Sequence, residues 1–262
     1  MTALITGASA GIGAAIAREF AAHGFDLVLT ARRGDRLQAL AHELAAAHGC
    51  TAHVIVADLS DPAAPARVFD EVARAGLTVD ALVNNAGYGL PGGFLSSGWE
   101  EHRAFIQVMV TSVADLCRRF APGMVARRRG FIINVGSVAG LLPGTAGHTL
   151  YGAAKALVIR FSESLALELA RDGVHVTALC PGFTYSEFHD VNGMRSQVSG
   201  LPRWMWMDAD TVARQAYDAV VRGDIVCVNG RMNRTIVALA RYTPQWIVNR
   251  VVKRAGKKFR RI

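Results

Sequence analysis

The chain has 262 residues, 51% of them hydrophobic, so it can bury one large core as a single α/β unit. Its net charge of +8 is concentrated at one end: residues 250–262 contain seven of the 29 Lys and Arg residues and no acid. The rest of the chain carries 22 basic and 21 acidic residues, a balance that argues against a nucleic-acid-binding fold.

Cysteine spacing and hydropathy restrict the location of the protein. Cys50, Cys117, Cys180 and Cys227 form no CxxC pair or metal-ligand spacing, which predicts reduced thiols, no metal site and a cytoplasmic protein. The sequence contains no uninterrupted run of about 18 apolar residues, so we expect no membrane-spanning helix. We also expect no secretory signal, because an apolar strand begins at residue 2 without a basic segment before it.

A glycine-rich turn follows the first predicted strand, residues 2–6, and precedes an apolar helix pattern. Its glycines have the spacing GxxxGxG. In such a turn, backbone N–H groups can approach a pyrophosphate, which then lies at the positive N-terminus of the helix. The simpler alternative is a turn that needs glycine only for its backbone conformation. The candidate cofactor-binding residues of the turn are Gly7, Ser9, Ala10, Gly11, Ile12 and Gly13.

The second predicted strand, residues 25–30, ends in a basic cluster formed by Arg32, Arg33 and Arg36. An acidic residue at this place binds the ribose 2′-hydroxyl of NAD, whereas an arginine accommodates the 2′-phosphate of NADP. Basic residues are otherwise unfavourable at a helix N-terminus, which indicates an anionic partner. The sequence therefore favours NADP(H), with NAD(H) as the alternative.

Polar residues end the next two predicted strands, residues 51–57 and 81–83. Asp58 either accepts a hydrogen bond from the adenine amine or caps a helix that starts near Pro62. The amides of Asn84 and Asn85 either tie neighbouring strand ends together or form a turn. A long helix at about residues 100–127 and a strand at 131–135 are expected next.

Tyr151 and Lys155 begin an apolar helix pattern, and Ser137 follows the strand before it. Residues four apart share one face of a helix, so the phenol and the ammonium are expected side by side. A nearby cation lowers the pKa of a tyrosine from about 10, which suits a general acid and base for an alcohol and ketone pair. The alternative is a surface tyrosine and a solvated lysine on an ordinary helix.

The predicted strand 175–180 is followed by residues 183–207, which show no clear secondary structure. Their apolar side chains at 204–207 predict a lid over an apolar substrate, or else packing against the body or a partner subunit. A helix at 208–221 and a strand at 224–228 complete the alternation of strands and helices. This order predicts a three-layer, Rossmann-like, doubly wound parallel sheet in one domain, residues 1–243.

The C-terminal segment 244–262 mixes apolar and basic residues. Such a segment can lie weakly on an anionic membrane surface, where each basic residue contributes about 1 kcal/mol. The alternative is a helix that covers the body and ends in a solvated basic stretch.

Several motifs together resemble the short-chain dehydrogenase/reductase family over residues 2–228. They are TGASAGIG at 6–13, Asp58-Leu59, NNAG at 84–87, Ser137, the Tyr151 and Lys155 pair, and Pro181-Gly182. The resemblance implies a seven-stranded sheet, a nicotinamide cofactor, a homodimer or homotetramer, and hydride transfer between the cofactor and a ketone, aldehyde or secondary alcohol.

The resemblance also implies residue roles. Tyr151 would be the acid and base, Ser137 would bind the substrate oxygen, and Lys155 would hold the nicotinamide ribose and tune Tyr151. Ser186 falls where the family often has a threonine that contacts the nicotinamide carboxamide. The other cofactor contacts that the resemblance implies are Leu59, Asn85, Ala86, Gly87, Pro181, Gly182 and Thr184.

One position departs from the family pattern. The family usually has an asparagine in the long central helix, completing a water-linked proton path, and Met109 occupies that position here. A thioether is a weak acceptor and donates nothing. We expect hydride transfer to be retained and proton resupply to Tyr151 to be slower or rerouted. The alternative function is a nucleotide-binding regulatory or scaffold protein with little turnover.

Overall fold

A computed structural model describes residues 1–147, 149–185, 202–244 and 250. Its one sheet contains the parallel strands β1 (Thr2–Thr6), β2 (Asp26–Ala31), β3 (Ala52–Val56), β4 (Val79–Asn84), β5 (Gly130–Val135), β6 (Val174–Cys180) and β7 (Val226–Val228). The α-helices in the described ranges are α1 (Gly11–Ala22), α2 (Gly34–His48), α3 (Ala64–Arg74), α4 (Trp99–Ile106), α5 (Ser112–Ala126), α6 (Thr149–Leu169), α7 (Ala209–Arg222) and α8 (Arg231–Tyr242).

The strand order β3-β2-β1-β4-β5-β6-β7 confirms the predicted seven-stranded, doubly wound sheet in a single domain. The order reverses between β1 and β4, and ligands of such sheets bind in the crevice at the carboxyl ends of the strands on either side of this reversal. The glycine-rich turn after β1 and the two asparagines at the end of β4 meet at this crevice.

Helices cover both faces of the sheet, which explains why the central strands are mainly apolar and do not alternate between polar and apolar residues. Every residue of β1 and of β4 is buried. One core layer packs α1, α2 and α7 against the sheet, with Phe20, Leu37 and Val212 at its centre. The other packs α3, α5 and α6. Strands buried on both faces lose the polar and apolar alternation of a half-exposed sheet and become continuous apolar runs.

A buried polar network joins β4, β5 and α6 beneath the crevice. Asn84 and Asn134 are paired residues of the neighbouring strands β4 and β5. The Asn84 amide donates to Asn134 Oδ1 (2.8 Å), and the Asn134 amide donates to the Ser162 hydroxyl of α6 (2.9 Å). Ser162 in turn donates to the Val158 carbonyl of its own helix (2.7 Å). Because buried polar groups must be hydrogen-bonded, this network sets how α6 lies across the two strands.

Two features differ from the sequence-based expectation. The predicted long helix is interrupted, because Gln107–Thr111 form a π-helical segment between α4 and α5. The helix α8 was not predicted, since Arg231–Tyr242 has no fully buried residue and its apolar positions are interspersed with arginines. Within the described ranges, none of the helices combines the length and the apolar character needed to cross a bilayer.

The buried network leads to a stability prediction. Asn134→Ala removes the bond between β4 and β5 and the bond from β5 to α6, and it leaves polar atoms buried without their partners. We expect the free energy of unfolding, measured by urea denaturation, to fall by about 2–4 kcal/mol. The matched control is Gln38→Ala, which removes an exposed amide from α2 and should change stability by less than about 0.5 kcal/mol. Equal effects of the two substitutions would show that the network contributes nothing.

Candidate active site

The glycine-rich turn is held against the end of β4 by Asn85. Its side-chain amide donates to the carbonyls of Thr6 (2.9 Å) and Gly7 (3.2 Å). The backbone N–H groups of Asn85 and Ala86 both donate to the Thr6 hydroxyl, at 2.9 and 3.0 Å. Gly7 has φ of +67°, and a Cβ on Gly13 would stand 2.3 Å from the Gly7 carbonyl oxygen. Both glycines are therefore required by this close backbone packing, and the strand-linking role of the asparagine amides is confirmed.

The turn has the features of an anion site. Ala10 precedes α1 in an extended conformation, and among the described residues no side chain caps this helix, which has no acid in its first turn. Arg33 reaches the turn from the end of β2, where its Nε and Nη2 atoms donate to the Ser9 hydroxyl at 3.3 and 3.1 Å. Arg32 is exposed beside it. Free backbone N–H groups, a positive helix end and a guanidinium fit the phosphates of a dinucleotide.

Asp58 closes a local turn at the end of β3. Its Oδ1 accepts from the backbone N–H (2.9 Å) and the hydroxyl (2.8 Å) of Ser60. The N–H of Ala63, just before α3, is bound instead by Asp61 (2.9 Å). The capping alternative for Asp58 is therefore wrong, because a nearer carboxylate occupies that place, and the adenine contact stays a prediction. Leu59 is buried in the core beneath.

Ser137 and Tyr151 meet above the end of β5. Their side chains share a hydrogen bond, and the Ser137 hydroxyl also accepts from the Ala139 N–H (3.1 Å). Helix α6 can approach this closely because residue 140 is glycine: a Cβ there would stand 2.6 Å from the carbonyl carbon of Lys155. The serine hydroxyl and the tyrosine phenol thus converge on one point of the crevice, and the phenol does not stand alone on the surface.

Lys155 is 5% exposed, which rules out the solvated-lysine alternative. Its ammonium donates to the Val135 carbonyl at the end of β5 (2.6 Å) and lies 5.9 Å from the centre of the Tyr151 ring. Burial lowers the pKa of Lys155 to about 8, with the nearby Cys180 opposing the shift. A cation that is kept from water and only partly paired is poised to bind further hydroxyl or carbonyl oxygens.

The pKa of Tyr151 is raised, not lowered as the sequence led us to expect. Burial disfavours the phenolate, and the hydrogen bond from Ser137 offsets this only in part. The ammonium of Lys155 is directed to Val135 instead of to the phenol. Tyr151 therefore stands ready as a proton donor.

Met109 lies in the π-helical segment, 1% exposed, in an apolar cluster with Phe105 and Ala154 against which Tyr151 packs. A Cβ on Gly87 would stand 2.9 Å from its sulfur atom, so the thioether fills the space directly beside the NNAG loop. π-Helical segments often occur at functional sites. The sequence-based expectation that a thioether stands near Tyr151 is confirmed, while its effect on proton supply stays a prediction.

The segment after β6 continues along the crevice. The Pro181 carbonyl accepts from the Val138 N–H (3.0 Å), which ties this segment to the turn after Ser137. Thr184 is buried, and its hydroxyl donates to the Gly182 carbonyl (3.2 Å). Ser186 lies outside the described residues, as do residues 187–201 of the predicted lid.

The two described ends of the predicted lid pair with each other. Met207 donates its N–H to the Phe183 carbonyl (2.9 Å) and accepts from the Tyr185 N–H (3.0 Å). The rings of Tyr185 and Trp206 stack at 5.0 Å, and Trp204 is 62% exposed. Aromatic side chains therefore concentrate where the segment leaves and rejoins the sheet edge.

A small cavity of about 20 Å³ adjoins Tyr151. It is lined by residues 90 and 92–94, by His102 and Phe105 of α4, and by residues 147 and 149–151. A larger cavity of about 320 Å³ lies between β3 and α3, beside His53 and Glu71, and contains none of the predicted site residues. The smaller one is the cavity that adjoins Tyr151.

Some residues that shape the site were missed from the sequence. Thr6, Asn134 and Ser162 fix the surrounding strands and α6, and His102 lines the cavity. The available signal was a polar residue inside an apolar strand, as with Asn134 in the run of β5. The bond between Thr6 and Asn85 spans 79 positions of the chain and that between Asn134 and Ser162 spans 28, which no local pattern reveals.

The family model for short chain dehydrogenases matches residues 1–194, most of the chain. The chain belongs to the short-chain dehydrogenase family. It is therefore an oxidoreductase of the kind that acts on CH–OH or C=O groups with a nicotinamide cofactor.

Relatives and solved structures agree with this assignment. The short-chain dehydrogenase described here is 39% identical to the oxidoreductase UcpA of Escherichia coli over 183 residues, 70% of this chain and 68% of that protein. It is 35% identical to the E. coli 3-oxoacyl-[acyl-carrier-protein] reductase FabG, over 88% of this chain and 96% of that protein. A short-chain dehydrogenase from Sphingobium yanoikuyae in complex with NADPH superposes with a TM-score of 0.81 at 36% identity, covering 92% and 93% of the two chains.

Burial of the Lys155 ammonium lowers the stability of this short-chain dehydrogenase by an amount that depends on pH. The pKa of Lys155 falls from 10.5 to about 8 on folding, so the unfolded chain binds more protons between these pH values and stability rises with pH across that window. Below pH 8 both states are protonated and the cost is complete, on the order of 3 kcal/mol. We expect Lys155→Met to be more stable than the parent at pH 7, with an advantage that shrinks from pH 8 to 10.5 in urea denaturation.

The control for this measurement is Arg160→Met, which removes an exposed cation from the same helix. It should change stability by less than about 1 kcal/mol with no dependence on pH in this range. A stability difference between Lys155→Met and the parent that stays constant from pH 7 to 10.5 would contradict the burial account.

Proposed function

We propose that the protein is an NADPH-dependent carbonyl reductase, or in the reverse direction an alcohol dehydrogenase, for an apolar ketone, aldehyde or secondary alcohol. The observation that carries the proposal is the convergence of the Ser137 hydroxyl and the Tyr151 phenol beside the buried ammonium of Lys155. This convergence lies at the edge of the sheet that also carries the glycine-rich turn.

The proposed roles follow from the hydrogen-bonding capacity of each side chain. The Ser137 hydroxyl donates to the substrate carbonyl oxygen and positions it. The nicotinamide, when bound, supplies the hydride. Tyr151 gives its proton to the same oxygen as negative charge develops there, so that a carbonyl becomes an alcohol. The raised pKa of Tyr151 keeps it protonated at neutral pH, as a proton donor to the developing alkoxide must be. Lys155 holds ribose hydroxyls.

The preference for NADP(H) over NAD(H) rests on the arginines at the end of β2. Arg33 binds the Ser9 hydroxyl at the glycine-rich turn. Burial raises the pKa of the phenol of Tyr88, which follows β4, and Arg32 is close enough to oppose this shift electrostatically. The neighbouring structure from Sphingobium was solved with NADPH. In our proposal the remaining predicted cofactor residues, including Thr184 and Ser186, line the same crevice.

Other parts of the proposal concern assembly and location. Residues 183–207 form the lid over the substrate, supported by the aromatic side chains at both of its described ends. The protein forms a homodimer or homotetramer in the cytoplasm, supported by the exposed Leu157 and Leu167 on α6. Residues 244–262 make either a weak contact with an anionic membrane or a cover for the body; apart from 244 and 250 they lie outside the described residues.

Tyr151→Phe tests the proposed chemistry. Removing only the phenolic oxygen should lower kcat for ketone reduction by about 10²- to 10⁴-fold, because the general acid is lost, while the Kd for NADPH changes little. In the parent, reduction should slow as pH rises through the pKa of Tyr151 and alcohol oxidation should quicken; the variant should lose both dependences. NADPH oxidation is followed by absorbance over a panel of ketones and aldehydes. The control Tyr217→Phe removes a hydroxyl remote from the site, beside Phe20, and should retain activity.

The burial of a thioether at Met109 favours a second candidate, a nucleotide-binding regulatory or scaffold protein with little turnover. It lies where the family usually has an asparagine, and it contributes no hydrogen-bond donor. The same panel separates the two functions: tight binding of NADPH without turnover of any carbonyl supports the scaffold. If Met109→Asn matches the parent in kcat and in its pH profile, Met109 has no part in proton supply.

Arg33→Leu tests cofactor choice. Because the charged contact to a 2′-phosphate is lost, the KM for NADPH should rise about 10- to 100-fold, while the KM for NADH stays nearly constant. NADH therefore serves as the internal control for damage to the fold. Arg67→Leu, which removes an exposed arginine of α3, should leave both values unchanged. An equal rise of both KM values after Arg33→Leu would argue against a 2′-phosphate contact.

A further inference from the structure

His102 is a buried histidine at the edge of the candidate active site. It lies on α4, is 5% exposed, and lines the small cavity that Tyr151 also lines. The apolar cluster behind Tyr151, which includes Phe105 of the same helix, consists of hydrocarbon, thioether and tyrosine side chains. A polar ring in such surroundings calls for a hydrogen-bond account of each of its two nitrogens.

One nitrogen of the His102 ring makes a hydrogen bond. Nε2 lies 2.8 Å from the Phe94 carbonyl oxygen. A carbonyl oxygen can only accept, so Nε2 carries the hydrogen and Nδ1 of the neutral ring is left as an acceptor. Within the described ranges, Nδ1 is buried and has no hydrogen-bond partner.

The ring cannot easily turn to relieve this unpaired nitrogen. The ring of Phe94 stacks on it with centroids 4.7 Å apart and planes 13° apart, and Trp99 lies at 6.5 Å. The hydrogen bond to the Phe94 carbonyl fixes the same orientation. The imidazole is therefore pre-organised, with its acceptor fixed before any ligand arrives.

His102 and Tyr151 line the same small cavity from opposite sides. One side is formed by residues 90 and 92–94 with His102 and Phe105, and the other by residues 147 and 149–151. Its volume of about 20 Å³ admits one water or one small polar group. A substrate whose carbonyl lies against Tyr151 would carry its nearest substituent into this space.

We infer that this cavity is a substrate subsite and that His102 Nδ1 accepts a hydrogen bond from a hydroxyl or N–H group of the substrate. The substrate class is then a carbonyl compound that bears a hydrogen-bond donor a few bonds from the reacting carbon, such as a hydroxyketone, with the corresponding diol as the product. This inference rests on the proposed carbonyl reduction and names the kind of substrate that it serves. His102 is a specificity residue that touches the substrate and takes no proton from it.

The energetic reason is the cost of an unpaired buried acceptor. A ligand donor at Nδ1 removes that cost, whereas an analogue with hydrogen in place of the hydroxyl leaves it. Sites built to bind a substrate hydroxyl reject the analogue that lacks it more strongly than apolar pockets reject a missing methylene. We expect discrimination on the order of 10- to 100-fold at the matching chain position.

The experiment compares ketones that carry a hydroxyl group at different positions with the same ketones without it. The NADPH-saturated enzyme is assayed with 1-hydroxy-2-butanone and 4-hydroxy-2-butanone against 2-butanone, and with 5-hydroxy-2-pentanone against 2-pentanone. One position should raise kcat/KM by at least about tenfold over its deoxy partner. In His102→Phe, which keeps an aromatic ring but has no acceptor, the ratio should fall to about one with the deoxy ketone little affected. Trp99→Leu changes the outer neighbour of the ring and should keep the parent's ratio.

A second readout does not depend on turnover. In the parent protein, ¹⁵N spectra of the histidine side chains should show His102 with hydrogen on Nε2, and its Nδ1 resonance should shift when the favoured diol binds to the complex with NADP⁺. The deoxy alcohol should not cause this shift. This measurement also stands if His102→Phe fails to fold.

The outcomes separate the subsite from the proposed function. Ratios near one at every position, or an unchanged ratio in His102→Phe, overturn the subsite while carbonyl reduction stands. If no ketone is reduced, carbonyl reduction fails, and the subsite is then decided by the Nδ1 shift with diols. A Nδ1 resonance that is the same with and without diol shows that a fixed water or protein group holds the nitrogen, and the inference is wrong.

Discussion

A buried hydrogen bond from the Lys155 ammonium to the Val135 carbonyl links the helix that carries Tyr151 to the end of the strand that leads to Ser137. The bond is short because α6 lies almost in contact with the turn after β5, where a side chain on Gly140 would overlap the helix backbone. Without this close approach, the serine hydroxyl and the Tyr151 phenol would not share a hydrogen bond. The chemistry of the site therefore depends on backbone packing as much as on the three polar side chains.

Burial acts in opposite directions on the two titratable groups of α6. It disfavours the charged form of each, so it raises the pKa of Tyr151 and lowers that of Lys155. The result is a site whose phenol holds its proton and whose ammonium holds its proton only weakly above pH 8. The helical spacing suggested that the nearby Lys155 ammonium would control the pKa of Tyr151. Burial has the larger effect here, because the ammonium points to a backbone carbonyl.

Most of the fold could be predicted because each strand of a doubly wound sheet is an apolar run that ends in a polar turn. The positions of Tyr151 and Lys155 on one helix could also be predicted, because residues four apart share a helix face. Three things had no local signal: the π-helical segment around Met109, the exposed helix α8, and the cavity beside His102. The cavity brings together residues that are distant in the chain, and α8 has no buried residue that would give it an apolar period. For Asp58 the local pattern misled. The helix-capping alternative was wrong because Asp61, three residues later, accepts the hydrogen bond from the Ala63 N–H.

The clamp between Thr6 and Asn85 spans 79 positions of the chain, and this separation bears on how the protein folds. Contacts between distant residues form late, because the intervening chain must first give up its freedom. The glycine-rich turn therefore acquires its final shape only after β4 has docked beside β1, with two other strands and their helices between them in sequence. In the proposed function this turn holds the dinucleotide, so cofactor binding during refolding would report completion of the central sheet. A nascent chain that ends before β4 would have the glycines but not the bonds from Asn85 that hold the turn.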